Sequence, residues 1–589
     1  MSKLLKRMSG REVLMTLVIT VLVALQVFFD LKLPDYMTEI TETVEKNGAL
    51  SDIWATGGKM LLCAFASLAS AACVAWLASH IAAGFSMRLR LDIFRKVQSF
   101  SLGEIGRFST PSLITRSTND VTQIQTFLVL GLQVMIKAPI MAVWAIFKIV
   151  GKGAEWTTAT GVAVAIMLAV VITVSTLVIP RFRRIQWLTD GLNRVTRENL
   201  TGLRVVRAYN AENFQQAKFD KVNDDLTGKL LFTSRLTSLI SPAMSLVMNG
   251  LTLAVYWIGA SLINGAAMTD KLTLFSNMVV FSQYGIMVVM SFMMLTMIFI
   301  LLPRASVSAR RINEILDTIC SVVDGPGAEP KPENRGEVAF KNVSFKYPGA
   351  EDYVIRNVSF SVKRGEVIAF IGSTGSGKST IVNLIPRFYD VTEGEVLVDG
   401  VDVRRYTQKQ LRDRLGYIPQ RSVLFSGTVA SNVAYGDNGR TCDAEALEDA
   451  VRRAVRVSQA ADFVENMPDA YDSDISQGGT NVSGGQKQRL CIARAVCRDP
   501  EIFIFDDSFS ALDFKTDKNL RAALRKELHD ATFVIVAQRI GTIRDADRIV
   551  VLENGEVAGM GTHDELMRTC GVYREIALSQ LSEEELADE

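Results

Sequence analysis

Three histidines in 589 residues, His80, His529 and His563, are too few and too scattered to form a metal cluster. The seven cysteines, Cys63, Cys73, Cys320, Cys442, Cys491, Cys497 and Cys570, contain no C-x-x-C pair and no metal spacing, so they read as reduced packing residues rather than a zinc site or a disulfide frame. A formal net charge of +1 provides no field that would gather nucleic acid. No cleavable signal is evident, because the first apolar run is too long for a signal h-region and no small-residue cleavage site follows it. What the chain has in excess is apolar sequence, and it has it in one place. Mean hydropathy is +0.20, high for a soluble protein, and the excess lies almost entirely before residue 305. A chain this long holds two or more domains. The asymmetry predicts a membrane domain first and a soluble domain second.

Six apolar stretches, residues 13–33, 57–81, 127–150, 159–179, 238–263 and 273–302, each have about the 20 residues that a helix needs to cross a roughly 30 Å hydrocarbon core. Basic residues orient them. Lys3, Lys6, Arg7 and Arg11 precede the first span; Arg88, Arg90, Arg95, Lys96, Arg107 and Arg116 follow the second; Arg181, Arg183, Arg184, Arg194, Arg197, Arg204 and Arg207 follow the fourth. These segments face the cytoplasm. The connections near 42–52, 151–155 and 264–271 then lie outside, and an even number of spans returns the second domain to the cytoplasm. The two cytoplasmic connections are long and patterned as helices, so the membrane helices are expected to continue past the bilayer. Their tips, near 109–115 and 207–214, are where a soluble motor would push.

The second span is rich in small residues (Gly57, Gly58, Ala64, Ala66, Ala69, Ala71, Ala72), which suits close helix packing. The sixth carries Met278, Met287, Met290, Met293, Met294 and Met297 with Gln283 and Tyr284. Methionine adapts to irregular apolar ligands, but packing is its expected use here. The spans show no cluster of buried carboxylates or arginines of the kind an ion pathway needs.

Residues 324–334 read DGPGAEPKPEN, a linker composition. The domain plan is therefore a membrane domain over 1–323, a linker over 324–335, a soluble domain over 336–581, and a solvated acidic tail over 582–589. The soluble domain is organised around residues 372–380, GSTGSGKST, set between the apolar runs VIAFI and IVNLI. This is the phosphate-loop spacing. Gly372, Gly375 and Gly377 lack Cβ, so backbone N–H groups curl around a phosphate chain, with Ser373, Thr374, Ser376 and Thr380 completing the cradle. Lys378 reaches the β- and γ-phosphates and Ser379 offers its hydroxyl to Mg²⁺.

Around it stand further candidates. Tyr347 closes a β-patterned run, where it either stacks on adenine or packs in the sheet. Gln420 ends GYIPQ, and its amide is placed to orient Mg²⁺ or water. In VSGGQKQRLCIARAV, Ser483, Gly484, Gly485 and Gln486 open a helix, so a hydroxyl and bare N–H groups face an anion. A second phosphate-binding helix start, far from the first in sequence, suits closure on ATP held by another subunit. Pro500 precedes EIFIFDD, a buried strand in which Asp506 sits where a magnesium-holding carboxylate belongs. SALD follows, ending at Asp513, and TFVIVAQ ends a further strand at Gln538. A hairpin turn is expected over Asn554 and Gly555.

Taken together these motifs resemble the ATP-binding-cassette (ABC) transporters, specifically exporter-type half-transporters in which six membrane helices are fused to one α/β P-loop nucleotide-binding domain. The resemblance covers nearly the whole chain. It implies ATP and Mg²⁺ as ligands, two chains pairing to sandwich two ATP molecules head to tail, and closure coupled to alternating access through the cytoplasmic helix tips. Lys378, Asp506, Gln420, Ser483, Gly484, Gly485, Gln486 and Asp513 are the positions it carries over as nucleotide contacts. Six spans exclude a soluble DNA-repair ATPase of the same cassette type. With the first span starting almost at Met1, no peptidase domain is expected before it.

The chain departs from the family pattern at two positions. Asp507 stands where the catalytic glutamate is usual, and Gln538 where a histidine ends the next strand. Aspartate retracts the carboxylate by one carbon–carbon bond, about 1.5 Å. Glutamine can neither carry a positive charge nor relay a proton. Both losses fall on one site while the SGGQ motif is intact, as in the degenerate-site subunits of bacterial heterodimeric multidrug exporters. Gln477, where many exporters have an acid, is a further departure. The resemblance thus implies half of an ATP-driven exporter of amphiphilic, drug-like or lipid-like compounds, embedded in membrane lipid and paired with a second half-transporter. The open alternatives are a homodimer hydrolysing slowly with Asp507, an exporter-fold importer, and a regulatory subunit that gates without pumping.

Overall fold

The computed structural model describes residues 1–45, 48–150, 153–436 and 443–580. Parts of the connections near 42–52 and 151–155, and the acidic tail over 582–589, lie outside the described residues. The chain divides into two compact units, Met1–Lys96 with Pro111–Thr318, and Val97–Thr110 with Ile319–Glu589.

The first unit is helical. Among the described residues, six helical segments, Gly10–Val44, Leu50–Gln98, Thr110–Ile149, Ala154–Thr201, Glu212–Gly265 and Lys271–Leu295, are long and apolar enough to cross a membrane. Each contains most or all of one of the six expected spans. The second and fourth run for 49 and 48 residues, about 70 Å at 1.5 Å per residue and more than twice a hydrocarbon core. Helices do therefore extend well past a bilayer.

The turning points differ slightly from expectation. Ser101 and Glu104 form a capping box that starts a short helix, Leu102–Phe108. Ser109 then reverses the chain at φ 55°, and residue 110 already begins the third long helix. The tip is thus 101–109 rather than 109–115, and it is signalled by S-x-x-E in the sequence. This helix belongs to the second unit, where Glu104 Oε1 accepts the N–H of Ser321 at 3.1 Å. The other tip lies within 207–214: helix Leu203–Ala208 ends, Asn210 turns at φ 48°, and a new helix starts at Glu212 with Tyr209 and Phe214 exposed.

The spans also carry more charge pairing than their windows suggest. Asp30 pairs with Lys137 at 3.1 Å and accepts from Ser67. Asp35 pairs with Lys148 at 2.7 Å and accepts from the Tyr284 hydroxyl at 2.6 Å. The first and third helices supply these charges two apiece, so neither run looks polar and the pairs exist only between helices. A π-helical turn, Gly131–Met135, immediately precedes the helix that carries Lys137. Met278 is buried with its thioether against Gly259, a packing role.

The second unit is built on two main sheets. We number its strands β1 Val338–Phe345, β2 Ile355–Val362, β3 Val367–Gly372, β4 Glu393–Val398, β5 Val401–Asp402, β6 Leu415–Ile418, β7 Gly427–Thr428, β8 Asp474–Ile475, β9 Ile502–Asp506, β10 Thr532–Val536, β11 Arg548–Glu553 and β12 Glu556–Gly561. A four-stranded antiparallel sheet has the order β2-β1-β4-β5. The larger sheet has the order β12-β11-β3-β10-β9-β6, parallel apart from the edge strand β12. Its inner strands, VIAFIG, TFVIV and IFIFD, are almost continuously apolar because both faces are covered. The β11–β12 hairpin turns over Asn554 and Gly555, both at positive φ, as the NG pair demands. The interdomain segment is tied down, with the Gly325 and Gly327 N–H groups donating to Tyr406 and Arg405 carbonyls.

Candidate nucleotide site

In a parallel sheet the useful end is the carboxyl end, where loops leave neighbouring strands together. Here β10 lies between β3 and β9, with Val536 level with both Phe370 and Asp506. The phosphate loop, the Asp506–Asp507 pair and Gln538 therefore emerge side by side, although the sequence separates them by up to 166 residues.

The loop leaves β3 at Gly372 and enters helix Lys378–Leu384 through Gly377, whose φ of 95° is left-handed. A Cβ at Gly377 would stand 2.6 Å from Ile355 Cγ2, and one at Gly372 would stand 2.1 Å from the Leu552 carbonyl, so glycine is required at both. Ser373, Thr374 and Gly375 are exposed and Ser376 is buried. Lys378 curls back over the loop, its ammonium donating to the carbonyls of Gly372 at 2.9 Å and Ser373 at 2.7 Å. Burial pushes its pKa down, and Asp507 and Asp506 oppose that shift.

Asp506 ends β9 fully inside the sheet. Its Oδ1 accepts the Ser379 hydroxyl at 2.8 Å, bringing together two of the three groups read as metal ligands. Burial raises its carboxyl pKa, against the Ser379 hydrogen bond. Asp507 follows at φ 50°, a conformation aspartate tolerates better than most residues, with its N–H donating to Val536 O. One oxygen of Asp507, Oδ2, accepts from two amides: Gln538 Nε2 at 2.9 Å and Gln420 Nε2 at 3.1 Å. The two positions that depart from the family pattern therefore touch each other. Burial raises the Asp507 pKa and these amides, with Lys378 and Arg539, oppose the rise.

Residues 355–510 match the family model described as ABC transporter, and residues 16–292 match the ABC transporter transmembrane region. An uncharacterized ABC transporter ATP-binding protein of Mycobacterium tuberculosis is 40% identical over 93% of this chain and 93% of its own. The chain belongs to the ABC transporter family. An ATP-dependent lipid A-core flippase of Syntrophus aciditrophicus is 32% identical, covering 85% of this chain and 81% of its own. The structure of a bacterial Atm1-family ABC exporter with ATP bound superposes with a TM-score of 0.79 at 26% identity, over 97% of this chain and 98% of that one. This is a multi-pass ABC half-transporter of exporter fold with an ATP-binding domain.

Not every predicted contact of the cassette gathers at the phosphate loop. Tyr347 does lie beside it: its hydroxyl shares a 3.0 Å hydrogen bond with Thr380, and its ring packs edge-on against Phe345 and Tyr389. Ser483 and Gln486 instead form a capping box on helix Gly484–Cys497, which uses the serine hydroxyl as an acceptor for the Gln486 N–H. A Cβ at Gly484 would meet nothing, so that helix start is open, while Gly485 faces the Ala511 carbonyl. Asp513 caps helix Phe514–Glu527 by accepting the Thr516 N–H at 3.0 Å. Among the described residues, the hydrogen bonds of Ser483, Gln486 and Asp513 do not reach the phosphate loop. The reading of the sequence missed Gln580, whose side chain bonds the backbone on both sides of Arg539, next to Gln538.

Proposed function

We propose that this chain is one half of an ATP-driven exporter of amphiphilic compounds, working as a heterodimer in which its own phosphate loop forms a slow site. The observation that carries the reading is the Gln420–Asp507–Gln538 cluster. The acid that directly follows Asp506 is short, and both amides hold it by one oxygen. A general base must reach the water it activates, and displacement by about 1 Å costs on the order of 10²-fold. Gln538 adds no positive charge and no proton relay. Ser483, Gly484 and Gly485, whose bonds stay on their own helix, are free to complete a site on the partner, which supplies glutamate and histidine.

The residues present fit Mg²⁺ bound together with ATP. Ser379 and Asp506 are already in contact, Gln420 stands next to Asp507, and among the described residues no three acids, histidines or cysteines gather into a separate metal cage. When bound, the ion neutralises charge on the β- and γ-phosphates; Lys378, released from the carbonyls of its own loop, adds a second positive charge there. Tyr347 offers its ring to adenine. The basic segments support a cassette and N-terminus in the cytoplasm, with the spans in the cytoplasmic membrane. Amphiphilic cargo is supported by the similarity to lipid A-core flippases and by interhelical ion pairs that offer polar contacts among apolar spans.

The test is intact mass spectrometry of the complex isolated from its native membrane through a tag on this chain. The expected species is a dimer with a different half-transporter carrying Glu and His at the positions of Asp507 and Gln538. A dimer of this chain alone, active as an ATPase, would make Asp507 the working carboxylate and overturn the asymmetric scheme.

A further inference from the structure

We infer that Gln580, just beyond helix Gly571–Leu578, is a positioning residue for Gln538 and hence for ATP held at this chain's own site. The inference rests on the reading of Gln538 as part of that site. Gln580 Nε2 donates to the Gln538 carbonyl at 2.8 Å, and Gln580 Oε1 accepts the Ile540 N–H at 2.9 Å. A planar amide that both donates to residue 538 and accepts from residue 540 fixes the intervening backbone as a neighbouring strand would. Each end of this clasp adjoins buried core. Ile540 is fully buried at the start of helix Ile540–Ile543. On the other side, helix Gly571–Leu578 is anchored by fully buried Tyr573 and Ala577, in the same apolar core as Ile540 and Ile543. The Tyr573 hydroxyl is in turn bonded to His563 at 2.7 Å.

The consequence follows from the order of contacts. Gln580 holds the backbone of Gln538; the side chain of Gln538 holds Asp507; and Asp507 lies within the electrostatic reach of Lys378. Residues 538 and 539 are exposed, so little other packing restrains that turn. Gln580 thus makes the C-terminal helix a brace for the loop that meets the γ-phosphate. It touches no substrate and is not a catalytic residue.

The experiment uses the full-length complex, loaded with radiolabelled ATP and Mg²⁺ and chased with unlabelled ATP, to read the slow release of nucleotide from this chain. Gln580→Ala should speed that release roughly 5-fold, the scale of one lost net hydrogen bond or slightly more, with the KM for ATP of steady-state turnover unchanged because turnover is carried by the partner's site. Gln538→Ala should do the same, and the double variant should do no more than either single one. Gln580→Glu, which keeps the acceptor for Ile540 but loses the donor to Gln538, should fall between. Gln580 is exposed, so the midpoint of thermal unfolding should stay put. If Gln580→Ala leaves release unchanged while Gln538→Ala alters it, the brace is wrong and the site reading stands. If the two effects add fully, Gln580 acts through general stability and the inference is likewise overturned. If Gln538→Ala itself has no effect, the site reading falls and the brace with it.

Discussion

Converting Asp507 to Glu and Gln538 to His together should restore fast hydrolysis at this chain's own site, and neither change alone should do so. The reason is geometric. Asp507 Oδ2 lies 2.9 Å from the Gln538 amide nitrogen and 3.1 Å from that of Gln420. A glutamate is longer by about 1.5 Å, so in the Asp507→Glu variant the new carboxylate reaches into the amide of Gln538 and stays tied to it. Gln538→His alone supplies a relay but leaves the carboxylate short. Only the pair frees the acid and supplies the relay. A group misplaced by about 1 Å costs on the order of 10²-fold, equivalent to about 2.7 kcal/mol of barrier at 1.36 kcal/mol per decade. The double variant should therefore turn over about 10²-fold faster at this site, with each single variant gaining less than about 10-fold.

The partner's site must be silenced for this to be read. In the proposed heterodimer that site is completed by this chain's Gly485, so a Gly485→Asp background places a negative charge at a helix start that should meet a γ-phosphate. The added side chain meets the Ala511 carbonyl at 3.4 Å, a contact that a small shift relieves. ADP formation in that background, measured under single-turnover conditions on the full-length complex, isolates the site built by Lys378, Asp506 and Asp507. A double variant no faster than the unmodified chain would refute the argument from carboxylate length. So would a single Asp507→Glu change that recovers the whole effect.

Three further outcomes are expected. Gly377→Ala combines a left-handed φ with a Cβ 2.6 Å from Ile355, so it should cost about 1–3 kcal/mol of cassette stability and at least 10-fold in ATP affinity, read by nucleotide titration. Asp30→Asn or Lys137→Met alone should destabilise the solubilised protein by roughly 2–3 kcal/mol, and the double variant by much less, because each single change leaves the other charge uncompensated between helices; equal losses in all three, by thermal unfolding, would mean the pair is not formed. His563 is buried against Tyr573 with its pKa held below the ordinary value by burial and by Arg544. The unfolded chain then binds the proton more readily, so stability should fall as pH drops below about 6.5 and through the depressed folded pKa, and His563→Gln should flatten that part of the profile.

The sequence made much of this legible, and the parts it hid share one cause. Apolar length alone located six spans, and the strand runs VIAFI, EIFIFDD and TFVIVAQ announced a buried parallel sheet, because those features are properties of contiguous residues. The phosphate loop was legible for the same reason: Gly372, Gly377, Lys378 and Ser379 do their work within one turn of chain. The first helix tip was misplaced by several residues although its capping box, Ser101 with Glu104, was there to be read. The charge pairs Asp30–Lys137 and Asp35–Lys148 were not legible, since they join residues 107 and 113 apart, each looking like a lone charge in or beside an apolar run. The same holds within the cassette. Asp507 and Gln538 stood out as two separate departures, 31 residues apart, but that one oxygen of the first accepts from the amide of the second is a fact of the β9–β10 register. The contact changes what the substitutions mean. Two independent losses would each be repairable alone; a bonded pair is a single altered unit, in which a longer acid is obstructed by the glutamine and a histidine finds its carboxylate too short. Gln580 extends that unit to a residue 42 positions further on, one that carries no motif and whose only signal is where the fold delivers it.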